Sequence, residues 1–137
     1  MSQDIEVLLA RARDERTAGH TGQARATYGM AATKARDSGH PGLLAHALRH
    51  ICELDRKDGK SDHAMVTGRE AVAIYRSMPE ASSLDLANAL RVTALAMEAS
   101  MKPGDATSLW QEAEMLYAEA GVGEGVAECG RHLSSGL

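Results

Sequence analysis

Apolar and small residues recur along this chain at spacings of four and then three, the separation that puts side chains on one stripe of a helix. Ala24, Tyr28 and Ala31 form one such stripe, Ala64, Gly68 and Ala71 a second, and Ala106, Trp110 and Ala113 a third. The stripes are set off by Gly19 and Gly22, Gly39 with His40-Pro41-Gly42, Gly59, Met78-Pro79, Pro103-Gly104, and Gly121 with Gly123. Glycine supplies the left-handed residue that ends a helix and proline blocks its continuation. The pattern therefore predicts helices near 3–18, 22–38, 42–57, 61–77, 83–100, 105–120 and 124–135.

The three stripes are also copies of one another, at steps of 40 and then 42 residues. Ala47-Leu48-Arg49 matches Ala89-Leu90-Arg91 at the same step of 42, and Leu8 sits 40 before Leu48. Cys129-Gly130-Arg131-His132-Leu133 aligns with Ala47-Leu48-Arg49-His50-Ile51, 82 residues earlier. The chain thus reads as one domain over 1–137, with helix pairs at 3–38, 42–77 and 83–120 and a capping helix at 124–135. Small residues on the stripes let the second helix of each pair lie close against the first. Leu48, Ile51, Leu54, Tyr75, Leu90, Met97, Leu116 and Tyr117 then fill the spaces between pairs. A single pair buries too little to offset its ordering entropy, so stability has to come from stacking.

Composition agrees with an all-α fold. Hydrophobic residues make up 44% of the chain but aromatics only 3%, with no Phe, so the apolar content is mostly Ala, Leu and Met. That suits closely approaching helices and is poor material for a β-sandwich. Fifteen basic against 19 acidic side chains leave a net charge of −4, which counts against nonspecific nucleic-acid binding. No stretch approaches the roughly 18 apolar residues of a membrane span, and the start MSQDIEV does not read as a signal peptide. Cys52 and Cys129 lie far apart among apolar or small residues, so they read as core side chains in a reducing, cytoplasmic compartment.

At the level of residues the repeat resembles the tetratricopeptide repeat. The first copy supplies Leu8, Ala12, Gly19, Ala24, Tyr28 and Ala31; the second Leu48, Cys52, Gly59, Ala64 and Ala71, with Gly68 where an aromatic is usual. The third supplies Leu90, Ala94, Ala106, Trp110 and Ala113, with Met101 at the place of the turn glycine. The repeats exceed the usual length of about 34 residues, as in the long-helix variety found in kinesin light chains. The resemblance implies a right-handed α–α superhelix of three helix pairs plus a C-terminal capping helix. It also implies a protein-binding scaffold whose first-helices line a concave face that holds a peptide or partner helix.

Motifs for catalysis are absent: there is no G-x-S-x-G, no phosphate-binding G-x-x-x-x-G-K-[ST] and no H-E-x-x-H. Gly121-Val122-Gly123-Glu124-Gly125 follows no strand and reads as an inter-helix linker. No catalytic activity, cofactor or metal is expected. His46, His50 and Glu53 share one helical face and are open to two readings: ligands of a divalent metal, in a remote enzyme alternative, or two partly exposed imidazoles on a polar face. Arg49, Arg91 and Arg131 occupy one position of three successive first-helices, which stacking would bring into a row. On the concave face that the resemblance implies, they would be joined by His46, His50, Glu53 and Asn88, with Arg56 and Lys57 at its end. Guanidinium forks suit carboxylates, so the expected partner is another protein or peptide carrying acidic groups. The carboxylate clamp of co-chaperone tetratricopeptide domains is not matched, its Lys and Asn positions falling on Leu9, Arg13, His50 and Val92. The alternative for the row is internal pairing, Arg49 with Glu53, Arg131 with Glu128, and Arg91 with a neighbouring helix.

Met30, Met65, Met97, Met101 and Met115 read as core filler in place of the missing Phe, or as an adaptable partner groove. Gly125, Gly130 and Gly136 weaken the last helix by about 1 kcal/mol each relative to Ala, which makes homodimerisation through that end, or through the groove, the second functional reading.

Overall fold

The computed structural model describes residues 2–101 and 103–135. Among them are seven helices and no strand: α1 (Ser2–Thr17), α2 (Thr21–Ser38), α3 (Pro41–Lys57), α4 (Ser61–Arg76), α5 (Ser83–Ala99), α6 (Pro103–Ala120) and α7 (Gly123–Ser135). Each helix begins and ends within two residues of the position expected from the Gly and Pro punctuation. Pro41 occupies the first turn of α3, where its missing N–H is no loss. Ser82 caps α5 by accepting a hydrogen bond of 3.0 Å from the Asp85 N–H. Gly19 and Gly59 close α1 and α3 at φ of +84° and +81°. Met101, their counterpart in the third repeat, is forced into the same left-handed region at φ 63°, so the conformation of this turn is kept even where glycine is not.

Every helix packs on the next, and α3 also packs on α5 and α1 on α3. The stripes form these contacts. Ala24, Ala31, Ala64, Ala71, Ala106 and Ala113 are completely buried, as are Tyr28 and Trp110 to within 1%. Gly68 shows why the second stripe carries no aromatic. A Cβ there would overlap Thr93 Oγ1 and lie 3.0 Å from Cys52 Sγ, so α4 meets α3 and α5 closely enough that only a hydrogen fits. Cys52 and Cys129 are buried free thiols, with burial pushing them up to about 12 and about 11 respectively.

Polar ties repeat with the helices. Arg36 of α2 reaches Glu70 of α4 at 2.7 Å, and Arg76 of α4 reaches Glu112 of α6. The arginines are 40 apart and the glutamates 42, so this is one ion pair made twice. Beneath them, nearly buried Asp55 of α3 accepts from Arg25 of α2 at 3.2 Å and meets His63 Nδ1 of α4 at 2.7 Å. The two matching pairs thus bridge even-numbered helices to one another, while α3 touches α1 and α5 directly.

Two expectations about particular side chains are corrected. Met65 and Met97 are core, but Met30 and Met115 are exposed on the outer side of their helices and Met101 is exposed in the turn after α5. Gly125 is not a weakness of α7. Its missing Cβ would sit 2.6 Å from Tyr117 Cδ1, so the glycine lets α7 settle onto the tyrosine ring. Gly136 lies outside the described residues.

Candidate functional site

The side chains that reach from the odd-numbered helices fall into two groups, a consumed set around Arg91 and an unconsumed set around Arg49. Arg91 of α5 donates through Nε to Glu128 of α7 at 2.6 Å and through an Nη to Glu53 of α3 at 3.4 Å. Glu53 is held further by Arg56; burial works to raise its carboxyl, but the bond from Arg56 and the charges of Arg56 and Arg91 bring it below the ordinary value. The contact with Glu128 is likewise the chief reason that Arg91 rises. Asn88 accepts a 2.7 Å bond from the Tyr117 hydroxyl. Arg91, Glu53 and Asn88 are therefore parts of the fold's own bonding, and Arg131 is exposed without an ion pair among the described residues. Of the three internal pairings expected, Arg49–Glu53 and Arg131–Glu128 do not form among the described residues, whereas Arg91 does pair with neighbouring helices. Both carboxylates go to Arg91.

Arg49 instead faces a cleft of about 440 Å³ between α1 and α3, lined also by Glu6, Arg13, Arg16, Tyr28 and His46. Residues 6, 9, 13 and 16 fall on one face of α1, which is how Arg13 and Arg16 come to oppose α3. The Nε atoms of Arg16 and Arg49 are buried without a hydrogen-bond partner, while these two side chains lie beside the hydroxyls of Tyr28 and Tyr75 respectively. A buried donor left unmade costs about 1–3 kcal/mol, and here there are two, both on cations.

Of the two histidines, His46 is partly exposed and lines the cleft, whereas His50 is not a partly exposed imidazole. His50 is 8% exposed and stacks on Tyr28, with ring centroids 4.8 Å apart, while His46 meets its edge at 4.7 Å. Burial first, then the charges of Arg49, His46 and Arg16, push His50 down to about 2. His46 is lowered for the same two leading reasons, burial and Arg49. Among the described residues no three His, Cys, Asp or Glu side chains are arranged to hold a metal ion, and Glu53 is turned to its arginines.

A second cleft, of about 550 Å³, adjoins the first and shares Leu9 and His46 with it. Its walls include Leu43, Tyr75, Met78 and Ala81, with Glu80 and Asp85 at its margin. The two together make one groove, cationic at the α1–α3 end and largely apolar toward α4 and α5. Sequence reasoning reached Arg49, His46 and His50 and missed Arg13 and Arg16 as site residues. The row was sought by identity across repeats, and the first repeat has Leu9 at that position; the spacing 6, 9, 13, 16 along α1 carried the signal. No protein-family model matches the chain, and no curated protein matches it significantly. No helix among the described residues is long and apolar enough to cross a membrane.

Proposed function

We propose that this chain is a tetratricopeptide-like module, a right-handed superhelix of three helix pairs and a capping helix, that binds another protein or peptide and carries no catalytic activity. The direct packing of α3 on α5, against the long ion pairs that span α2 to α4 and α4 to α6, supports a stack curved toward its odd-numbered helices. The free buried thiols support a reducing compartment, the cytoplasm. The observation that carries the binding reading is the groove itself, with Arg13, Arg16 and Arg49 at one end and apolar walls at the other. Such a surface suits an extended segment bearing acidic groups, because guanidinium donors in a partly dry cleft make charge-assisted bonds with little reorganisation.

The test is fluorescence anisotropy with short acidic, neutral and basic peptides of matched apolar content. Acidic peptides are expected to bind, and Arg49→Gln to weaken them about tenfold, the effect of one lost charge-assisted bond, with Arg36→Gln on the opposite layer without effect. Equal binding of acidic and basic peptides, or none by any, overturns the reading. Light scattering on the same samples tests the alternative of a self-associating unit.

A further inference from the structure

We infer that the cleft between α1 and α3 seats a dianionic phosphoryl group, held by Arg13, Arg16 and Arg49. The formal charge of the cleft is the first argument. Three guanidinium groups and one carboxylate, Glu6, line this cleft, a local excess of two positive charges, with Glu80 and Asp85 placed in the adjoining cleft; a phosphomonoester brings a charge of about −1.5 to −2 near neutral pH. A carboxylate would neutralise only one. The histidines do not alter this balance, since His50 is held neutral by its burial against Tyr28 and His46 is biased the same way.

Donor supply is the second argument. Arg13 and Arg16 enter the cleft from α1 and Arg49 from α3, so guanidinium groups reach it from two walls. Donors arriving from separate walls match the tetrahedral spread of three phosphoryl oxygens better than the single plane of a carboxylate. The adjoining apolar cleft, reached past Leu9 and His46, would take an aliphatic side chain next to the phosphorylated residue. The carrier being a peptide rests on the groove reading above; the anion seat does not.

The experiment records amide and side-chain NMR shifts of the full chain on titration with inorganic phosphate at constant ionic strength. Three peptides follow, identical except for a phosphoserine, serine or aspartate beside a leucine. Phosphate is expected to shift resonances in α1, in α3 and at Tyr28, and its affinity to fall about tenfold in Arg16→Gln and in Arg49→Gln. Arg13→Gln is expected to do the same, and as an exposed residue it has little packing to lose, so a folding defect in the other two leaves the test intact. Arg36→Gln is expected to change nothing. The phosphoserine peptide is expected to bind at least tenfold more tightly than the aspartate one.

Shifts scattered over the surface, or unaltered by the three substitutions, overturn the proposal, as does equal or tighter binding of the aspartate peptide. Phosphate seated in the cleft with no peptide bound at all upholds the anion seat and overturns the peptide reading. Peptides bound along the groove with no phosphate effect do the reverse.

Discussion

The imidazole of His50 lies flat on the ring of Tyr28, with centroids 4.8 Å apart and planes 11° from parallel. This stack closes the floor of the cleft and holds His50 neutral, with its value pushed down to about 2, chiefly by burial. The unfolded chain takes up a proton near the ordinary value of about 6.5, and the folded chain refuses it. Stability therefore falls as pH drops below that value, by about 1.4 kcal/mol per pH unit, or about 2 kcal/mol between pH 7 and pH 5. Lowered His46 adds in the same direction. Urea unfolding at the two pH values measures the loss, and His50→Phe, which keeps a ring on Tyr28, is expected to remove most of it. An imidazole of His50 that titrates by NMR near pH 6.5 in the folded protein contradicts the account.

Gly68→Ala is expected to destabilise the fold by about 1–3 kcal/mol, the usual result of forcing a methyl into a packed interior. The added Cβ would overlap Thr93 Oγ1 and press on Cys52 Sγ, and both lie on helices fixed by other contacts. Thr93→Ala opens the space, at the loss of the bond that Thr93 donates to the Ala89 carbonyl at 2.7 Å. The double variant should then be more stable than the sum of the single losses allows. A strictly additive double-mutant cycle would show that the two groups do not collide.

These two pairs mark what could and could not be read ahead of the structure. Helix boundaries follow from local chemistry, glycine and proline at turns, and the buried alanine stripes follow from a spacing of four and three. Both are properties of a few consecutive residues. The absence of an aromatic at Gly68 depends on Thr93, which is 25 positions away, and the fate of Arg91 depends on Glu53 and Glu128, 38 and 37 away. Repeat alignment placed Arg49, Arg91 and Arg131 in equivalent positions, yet equivalence of position does not imply equivalence of neighbours at different ends of a finite stack. Arg91 sits mid-stack and finds carboxylates on both sides. Arg49 has α1 beside it, which offers Arg13 and Arg16 instead.

Met101 gives a prediction of opposite sign. It holds φ 63° with its side chain 86% exposed, so it bears the left-handed strain with little packing in return. Met101→Gly is expected to stabilise the protein by about 0.5–1 kcal/mol, the relief of the Cβ clash less the greater chain entropy of glycine. Thermal melting measures this. Gly59→Met, at the matching turn of the preceding repeat, should lower the melting temperature by a similar amount, and the two shifts having the same sign would refute the shared-turn explanation.

Arg91 ties α7 to α5 through Glu128, and the docking of α7 can be followed through the single tryptophan. Trp110 stacks on His132 of α7 at 4.0 Å, and its indole N–H donates to Glu98 at 2.8 Å, the same residue that pairs with His132. Replacing Arg91 by Met leaves Glu53 and Glu128 without their shared cation. The Arg91 side chain is 32% exposed, between the exposed ion pairs worth less than about 1 kcal/mol and the buried ones whose breakage costs about 3–5 kcal/mol, so a loss of about 1–3 kcal/mol is expected. The loss should be local. Hydrogen exchange is expected to accelerate across 123–135 before it changes in α3 or α4, with a red shift of the Trp110 emission as His132 leaves the ring. Arg131→Ala, on an exposed side chain of the same helix, is expected to shift stability by less than about 0.5 kcal/mol and to leave the emission unchanged. Uniform acceleration of exchange over all seven helices in the Arg91 variant would instead mean that α7 unfolds only with the whole stack.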